Sequence, residues 1–154
     1  MSARTVLLAR SAVVMLAATA CAGSAPGASR TEVSTAPRFE GTIAVATTID
    51  PKACGDARVC AEEQAVRSVL FMGVPGSSMP KAMVPNESEA KQAHAAFFTD
   101  LLEKKGFQKY IVRVDDSAVT STEHPEEKRW NVVINSDALR RALESAGVIR
   151  KFGY

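Results

Sequence analysis

An apolar segment at the start of the chain decides how much of the sequence is left to fold. Residues 11–20 are small and mostly apolar, and Arg4 and Arg10 precede them. A membrane-spanning helix needs roughly 20 uninterrupted apolar residues, and Arg10 interrupts this segment well short of that length. A positive start followed by a short apolar run is typical of a secretory signal peptide, which is removed on export. We therefore predict a signal peptide over residues 1–20.

Cys21 follows this run directly, and the small residues Ala18-Thr19-Ala20 before it resemble the lipobox of bacterial lipoproteins. The resemblance implies that the exported chain begins at Cys21, whose sulfur is linked to diacylglycerol. Two or three acyl chains hold a protein durably at a membrane, because each buried methylene contributes about 0.8 kcal/mol. Ala22 stands where proteobacterial lipoproteins retained in the inner membrane usually have aspartate, so the resemblance implies the outer membrane, facing the periplasm. Ordinary secretion without lipidation is the alternative.

The number of cysteines supports this interpretation. In an oxidising compartment three thiols leave one unpaired, whereas lipidation of Cys21 leaves the even pair Cys54 and Cys60. We predict a disulfide between these two, which would stabilise the fold by roughly 2 kcal/mol at best. Catalytic redox pairs favour the spacing Cys-x-x-Cys, which is not the spacing here. Two cysteines without a neighbouring histidine also make a poor metal site.

The segment after Cys21 is unsuited to a hydrophobic core. Residues 22–38 are mainly serine, alanine, glycine and proline, and Val33 is their one long apolar side chain. We predict that residues 21–38 comprise the lipidated cysteine and a flexible tether with a span of roughly 20–25 Å. The remaining length suits one domain, and we assign residues 39–154 to it.

The first part of this domain predicts a strand and two helices. Apolar side chains alternate over residues 39–49, which predicts a half-buried strand. Residues 57–72 then carry valine and leucine on one side of a helix. A second helix is predicted over residues 87–105, because Asn86 is a suitable N-cap and Gly106 is a suitable stop.

The second part predicts two strands and a third helix. Alternating apolar residues at 110–114 and 129–135 indicate an antiparallel hairpin with a long loop. Ser136 is expected to cap a helix with one apolar stripe. The stripe consists of Leu139, Ala142, Leu143 and Ala146. With a short closing strand over 148–152, these elements predict an α+β fold, in which about three helices pack on one face of a small, mostly antiparallel sheet.

One loop has the composition of a ligand-binding turn. Gly73, Pro75 and Gly76 lie between the first two predicted helices, and Pro75-Gly76 suits the central positions of a type II turn. We treat these residues as a candidate ligand loop, although a shaped connection between helices is the structural alternative. It is not a phosphate loop, because the Gly-Lys-Ser/Thr sequence is missing. This loop, extending to Pro80, or the acidic segment 115–127 could also insert into an enzyme as an inhibitor.

Two histidines could carry chemistry. His94 is predicted on the apolar stripe of the second helix, and His124 lies in a polar loop among acidic residues. Either could serve a small periplasmic hydrolase or a metal-dependent enzyme, with Glu62, Glu63 or Asp100 as acidic partner. That hypothesis requires a histidine within about 3 Å of a serine, cysteine or carboxylate. The alternative is a hydrogen-bonded structural His94 and a solvated His124. We expect neither a metal nor a cofactor.

The charge of the exported chain argues against one class of partner. The whole chain has 19 lysines and arginines against 17 acidic residues, and the two arginines of the signal peptide account for the difference. Nucleic-acid-binding proteins carry a basic stripe, which a neutral domain does not supply. Aromatic residues make up only 6% of the chain, too few for a base-stacking platform. We therefore expect no nucleic-acid partner.

Residues 65–76, 93–98 and 137–152 together resemble a group of short bacterial lipoproteins of unknown function. The shared motifs are helix faces and turns, so the resemblance implies a common fold and no known chemistry. The sequence thus predicts an envelope lipoprotein that is anchored in membrane lipid through the acylated Cys21. Its domain would be a non-enzymatic binding or scaffold module for an unknown envelope protein, glycan or lipid. The hydrolase and the loop-based inhibitor described above are the alternatives.

Overall fold

A four-stranded antiparallel sheet forms the framework of the structure, a computed structural model that describes residues 30–34, 39–117 and 128–151. Its strands are β1 (Arg30–Val33), β2 (Thr42–Ile49), β3 (Ile111–Ser117) and β4 (Lys128–Asn135). They lie in the spatial order β1-β2-β4-β3, so β2 and β4 are central and the other two are edges. The predicted α+β class and the predicted antiparallel pairing of the last two strands are confirmed.

Within these ranges four α-helices accompany the sheet, and two of them end in a π turn. They are α1 (Ala57–Arg67, continued by Ser68–Met72), α2 (Glu87–Ala93), α3 (Ala95–Phe98, continued by Thr99–Glu103) and α4 (Ser136–Ser145). Short 3₁₀ segments cover Pro51–Ala53 and Gly106–Tyr110.

The ends of the helices correct two predictions. The helix predicted over 87–105 is interrupted at His94, whose φ of −127° and ψ of 44° lie outside the helical region. Its N-cap Asn86 is confirmed, because the side-chain oxygen of Asn86 accepts a hydrogen bond from the backbone amide of Glu89 at 3.2 Å. The predicted cap Ser136 is instead the first residue of α4. Asn135 is the cap, since its side-chain oxygen accepts a hydrogen bond from the backbone amide of Ala138 at 2.8 Å.

The helices cover one face of the sheet and form the core with it. The almost fully buried contributors include Ile43, Val45, Val132 and Ile134 from the sheet and Ala65, Leu70, Leu139 and Leu143 from the helices. Burying each of the larger side chains contributes about 1.5–3 kcal/mol. The apolar stripe predicted for α4 therefore faces the core through its two leucines.

β2 is buried on both faces, which differs from the half-buried strand predicted. Ala44 and Ala46 lie on the face opposite the core residues, yet each is no more than 2% exposed. Both side chains are small, and larger side chains stand opposite them on the neighbouring strands: Val133 opposite Ala44, and Asn131 and Glu32 opposite Ala46. The Ser34 hydroxyl donates a hydrogen bond to Asn131 at 2.8 Å.

β1 corrects the predicted tether. It pairs antiparallel with β2, so the flexible segment predicted over 22–38 does not include it, and the domain begins before residue 39. Val33 packs against the core, and the hydroxyl of Thr31 lies 3.0 Å from that of Ser68. This mostly polar sequence forms a strand because the edge of β2 away from β4 has backbone groups that need hydrogen-bond partners.

The predictions for the signal peptide, Cys21, His124 and most of the acidic segment 115–127 concern residues outside the described ranges. At the other end, residues 148–151 have no strand structure, so the closing strand predicted over 148–152 is not formed in this part. No helix within the described residues combines the length and the apolar character that crossing a membrane requires.

Candidate functional site

The edge strand β3 and the first half of α1 enclose a groove of about 260 Å³. Its walls are Arg58 and Glu62 of α1, Gln108 of the 3₁₀ segment before β3, and residues 111–114 of β3 itself. The helix contacts both central strands and also reaches β3. The groove therefore joins a helix surface to an edge of the sheet.

A buried carboxylate lies on the helix side of this groove. Glu62 is only 5% exposed, and both of its carboxylate oxygens have a partner. Oε1 accepts a hydrogen bond from Nε of Arg58 at 3.1 Å, and Oε2 accepts one from the amide of Gln108 at 3.3 Å. Pairing of this kind is what a buried charge requires. The ion pair with Glu62 thus fixes Nε of the mostly exposed Arg58, which also lines the groove.

The strand side of the groove is the outer edge of the sheet. Among the described residues, no strand pairs with β3 on the side away from β4, so the backbone groups on that side lack ladder partners. The register shifts between Ile111 and Arg113, which leaves Val112 as a bulge. Val112 is 50% exposed. Nε of Arg113 lies 2.7 Å from a carboxylate oxygen of Asp115, two residues further along the strand.

The groove is better suited to binding than to catalysis. None of its described lining residues is a serine, cysteine or histidine, and both oxygens of its one carboxylate, Glu62, are already hydrogen-bonded. Its volume lies just below the 300–1,000 Å³ that is typical of small-molecule pockets. Unpaired backbone groups, an exposed valine and a helix wall are instead the features of a surface to which an extended polypeptide adds a strand.

A second cavity, of about 250 Å³, lies between the end of α1 and α3. Its two cations are Arg67 and Lys91, and both pair with Glu87, at 3.4 and 2.5 Å. Arg67 also pairs with Glu63 at 2.9 Å. All of its lining residues lie in helical segments, so no strand edge with unpaired backbone groups opens into this cavity as one does into the groove.

The predicted ligand loop is a closed turn. Pro75 and Gly76 take the central positions of the predicted type II turn, where Gly76 has a φ of 78° and an amide–carbonyl bond of 3.1 Å closes the turn. Gly73 also has a positive φ, and a Cβ there would lie 2.6 Å from the carbonyl oxygen of Pro80. The backbone itself therefore requires these glycines. Other residues line the two cavities above.

Cys54 and Cys60 form the predicted disulfide, with their Cα atoms 6.4 Å apart. Cys54 follows the first 3₁₀ segment, and Cys60 lies in the first turns of α1. The bond ties the connection after β2 to the start of the helix. It therefore also holds the part of α1 that carries Arg58 and Glu62 to the groove.

The described residues do not form the site that the hydrolase hypothesis requires. His94 stands half-buried at the junction of α2 and α3. Its proposed partners Glu62, Glu63 and Asp100 each pair with a basic residue four positions away along the chain. Within residues 39–117 and 128–151, no serine, cysteine or carboxylate hydrogen-bonds the His94 imidazole, and no three potential ligands are grouped so that they could hold a metal.

Sequence reasoning missed every residue of the groove except Glu62, which it assigned a different role. The spacing of Arg58 and Glu62 is that of a helical ion pair, and this signal was available. Nothing in the sequence, however, places Gln108 beside a residue 46 positions earlier. The groove exists only because the fold brings α1 to the edge of the sheet.

Comparison with known proteins does not assign a family. No protein-family model matches the chain, and no curated protein and no solved structure is significantly similar to it. The function is therefore argued from the residues and their geometry.

Proposed function

We propose that this chain is a lipid-anchored protein of the bacterial envelope, facing the periplasm from the outer membrane, and that it acts as a non-enzymatic binding module. The short apolar run that ends at Cys21, with its lipobox resemblance, supports the anchor. Acyl chains on Cys21 would keep the domain beside a lipid surface. Its partners would then be other molecules of the envelope.

The proposed binding site is the groove between α1 and β3. One observation carries this proposal: the edge of β3, which has no neighbouring strand among the described residues, opens directly into a space bounded by a helix. An added strand lies about 4.8 Å from its neighbour and hydrogen-bonds to the edge. Its side chains would contact Val112 and the aliphatic parts of Arg58 and Arg113.

The ligand class that fits this site is an extended polypeptide segment. Backbone pairing would supply much of the affinity, and alternate side chains would supply the specificity. The described residues that line the groove include no aromatic side chain on which a sugar ring could stack, and the charged rim is unsuited to an acyl chain. A protein partner is therefore favoured over a glycan or a lipid.

Photo-crosslinking in intact cell envelopes tests the site. A photoreactive phenylalanine derivative in place of Val112 is expected to give a specific protein product. The same derivative in place of Met72, which is equally exposed but lies outside the groove, is the matched control. The groove proposal fails if position 112 gives no product, or only the products that position 72 also gives.

Mass spectrometry of the mature N-terminus tests the anchor. In a lipidating host, the exported chain is expected to begin with an acylated Cys21, and a Cys21→Ser variant is expected to leave the membrane fraction. An unmodified leading thiol on a chain that is released from the membrane would refute the anchor. It would leave the groove proposal to its own test.

A further inference from the structure

The charged residues of the edge strand β3 are self-complementary. β3 carries Arg113 and Asp115 on one face, on either side of Val114. When two such strands pair antiparallel about Val114, Arg113 of each copy stands opposite Asp115 of the other. We infer that the occupant of the groove site is a second copy of this chain, joined through β3 so that the two four-stranded sheets become continuous. The inference rests on the proposed function in that it uses the same edge as the binding site.

The charge pattern selects one register for this pairing. Directly opposite residues of an antiparallel pair share a face of the sheet. A slip of one residue would place outward-facing residues of one copy opposite core-facing residues of the other, so it is not allowed in this joined sheet. Moving the pairing axis from Val114 to Arg113 would place two arginines opposite each other. Moving the axis to Asp115 would place two carboxylates opposite each other. Like charges in this position are destabilising, so among the registers centred on residues 113, 114 and 115 only the one centred on Val114 is attractive.

Both faces of the sheet are compatible with this register. Arg113 and Asp115 lie opposite residues of β4 that face away from the core, whereas Val114 lies opposite the core residue Val132. The two copies of Val114 would therefore meet on the helix side of the joined sheet. Each is only partly buried in the single chain, and their contact would cover the open side of the groove.

The side chains are available for pairing between copies. Arg113 is exposed, and its Nε hydrogen is shared between the two carboxylate oxygens of Asp115, at 2.7 and 2.8 Å. A guanidinium has five N–H donors, so four remain for a second carboxylate. Opposite residues have Cβ atoms about 4.5–5.5 Å apart, which is within reach of an arginine. Anchoring in one membrane would also raise the effective concentration of the copies.

Charge-swap variants test the register. The chain from residue 21, carrying Cys21→Ser so that it is free of lipid, would be sedimented at about 1–200 µM, where it is expected to dimerise. Arg113→Asp places acids opposite acids, and Asp115→Arg places arginines opposite arginines, so each variant is expected to weaken the dimer about tenfold or more. A mixture of the two single variants recreates both attractive pairs and is expected to form heterodimers. The double variant is expected to form homodimers again.

A crosslinking pair tests the axis independently. A Val114→Cys variant places two thiols directly opposite each other and is expected to form an intermolecular disulfide on mild oxidation. Val112→Cys is the control, because its thiols would lie about 13 Å apart along the joined strands. Circular dichroism of each variant confirms that the fold is retained, as expected for changes at a sheet edge.

The outcomes separate this inference from the proposed function. A wild-type chain that stays monomeric through the whole range, or a mixture of single variants that does not associate, overturns the second copy as occupant. If the photoreactive residue at position 112 then still captures another envelope protein, the groove proposal stands. A product at position 112 that is itself a homodimer supports both, and a monomer without any product there refutes both.

Discussion

Replacing Thr47 with valine is expected to stabilise the fold. Thr47 is fully buried in the middle of β2, on the face that packs against the helices, and its hydroxyl has no hydrogen-bond partner among the described residues. Trp130 lies directly opposite on β4, and its indole N–H is also buried, with no partner in the described part of the chain. Two adjacent groups of this kind are unusual, because a buried unpaired polar group costs about 1–3 kcal/mol.

The magnitude follows from what the substitution removes and adds. Valine has nearly the shape of threonine, so Thr47→Val opens no cavity. Removing the unpaired hydroxyl recovers about 1 kcal/mol, and burying a methyl group in its place adds up to about 0.8 kcal/mol. We expect the free energy of unfolding to rise by about 1–2 kcal/mol, which corresponds to an increase in Tm of about 3–8 °C.

Urea denaturation with the disulfide intact measures this change. Far-UV circular dichroism and the fluorescence of Trp130, the one tryptophan of the chain, should give coincident transitions. Thr48→Val is the matched control, because Thr48 is the next residue and lies on the outer face, partly exposed; it should change stability by less than about 0.5 kcal/mol. A loss of about 1 kcal/mol or more at position 47 would refute the reasoning. It would mean that the hydroxyl is satisfied, for instance by a buried water shared with the indole.

Three further predictions concern the groove carboxylate, the closed turn and the disulfide. Glu62→Gln keeps the side-chain shape but removes the buried charge that pairs with the mostly exposed Arg58, and should lower the free energy of unfolding by about 1 kcal/mol; Glu63→Gln, at a partly exposed carboxylate, should change it by less than half as much. Gly73→Ala meets a backbone carbonyl at a positive φ and should cost about 2 kcal/mol or more, whereas Gly55→Ala, with open space around it, should not. Reducing the disulfide should lower stability by up to about 2 kcal/mol in urea titrations. Equal losses at each matched pair, or no change on reduction, would contradict these assignments.

Elements with a strong hydrophobic period could be predicted from the sequence, and elements shaped by their neighbours could not. In α4, Leu139 and Leu143 recur at helical spacing and are both fully buried. β1 has one long apolar residue, Val33, and is a strand because β2 offers it backbone partners. The break at His94 was equally hidden, because the apolar stripe continues across it.

The candidate site was harder to predict than the fold. Glycine and proline in the loop at 73–80 indicate an unusual backbone conformation. In the structure they are required for that conformation and line neither of the two cavities described above. The groove instead depends on α1 and β3, which are distant in sequence, and on an edge position that only the strand order reveals. Residues such as Arg58 and Arg113 look like ordinary surface charges until the sheet order is known.

The edge of β3 shows how one charge pattern can both prevent and permit strand pairing. Like charges along an edge repel a second copy in every register, which is one way in which monomeric proteins protect their sheets. Opposite charges two residues apart, as in Arg113 and Asp115, repel when the pairing is centred on either charge and attract when it is centred on the residue between them. The bulge at Val112 further limits the registers in which a second strand can pair, because it interrupts the regular ladder of backbone hydrogen bonds before Arg113. The edge therefore discriminates among partners by register, which is a property that a strand serving only as a protected edge does not need.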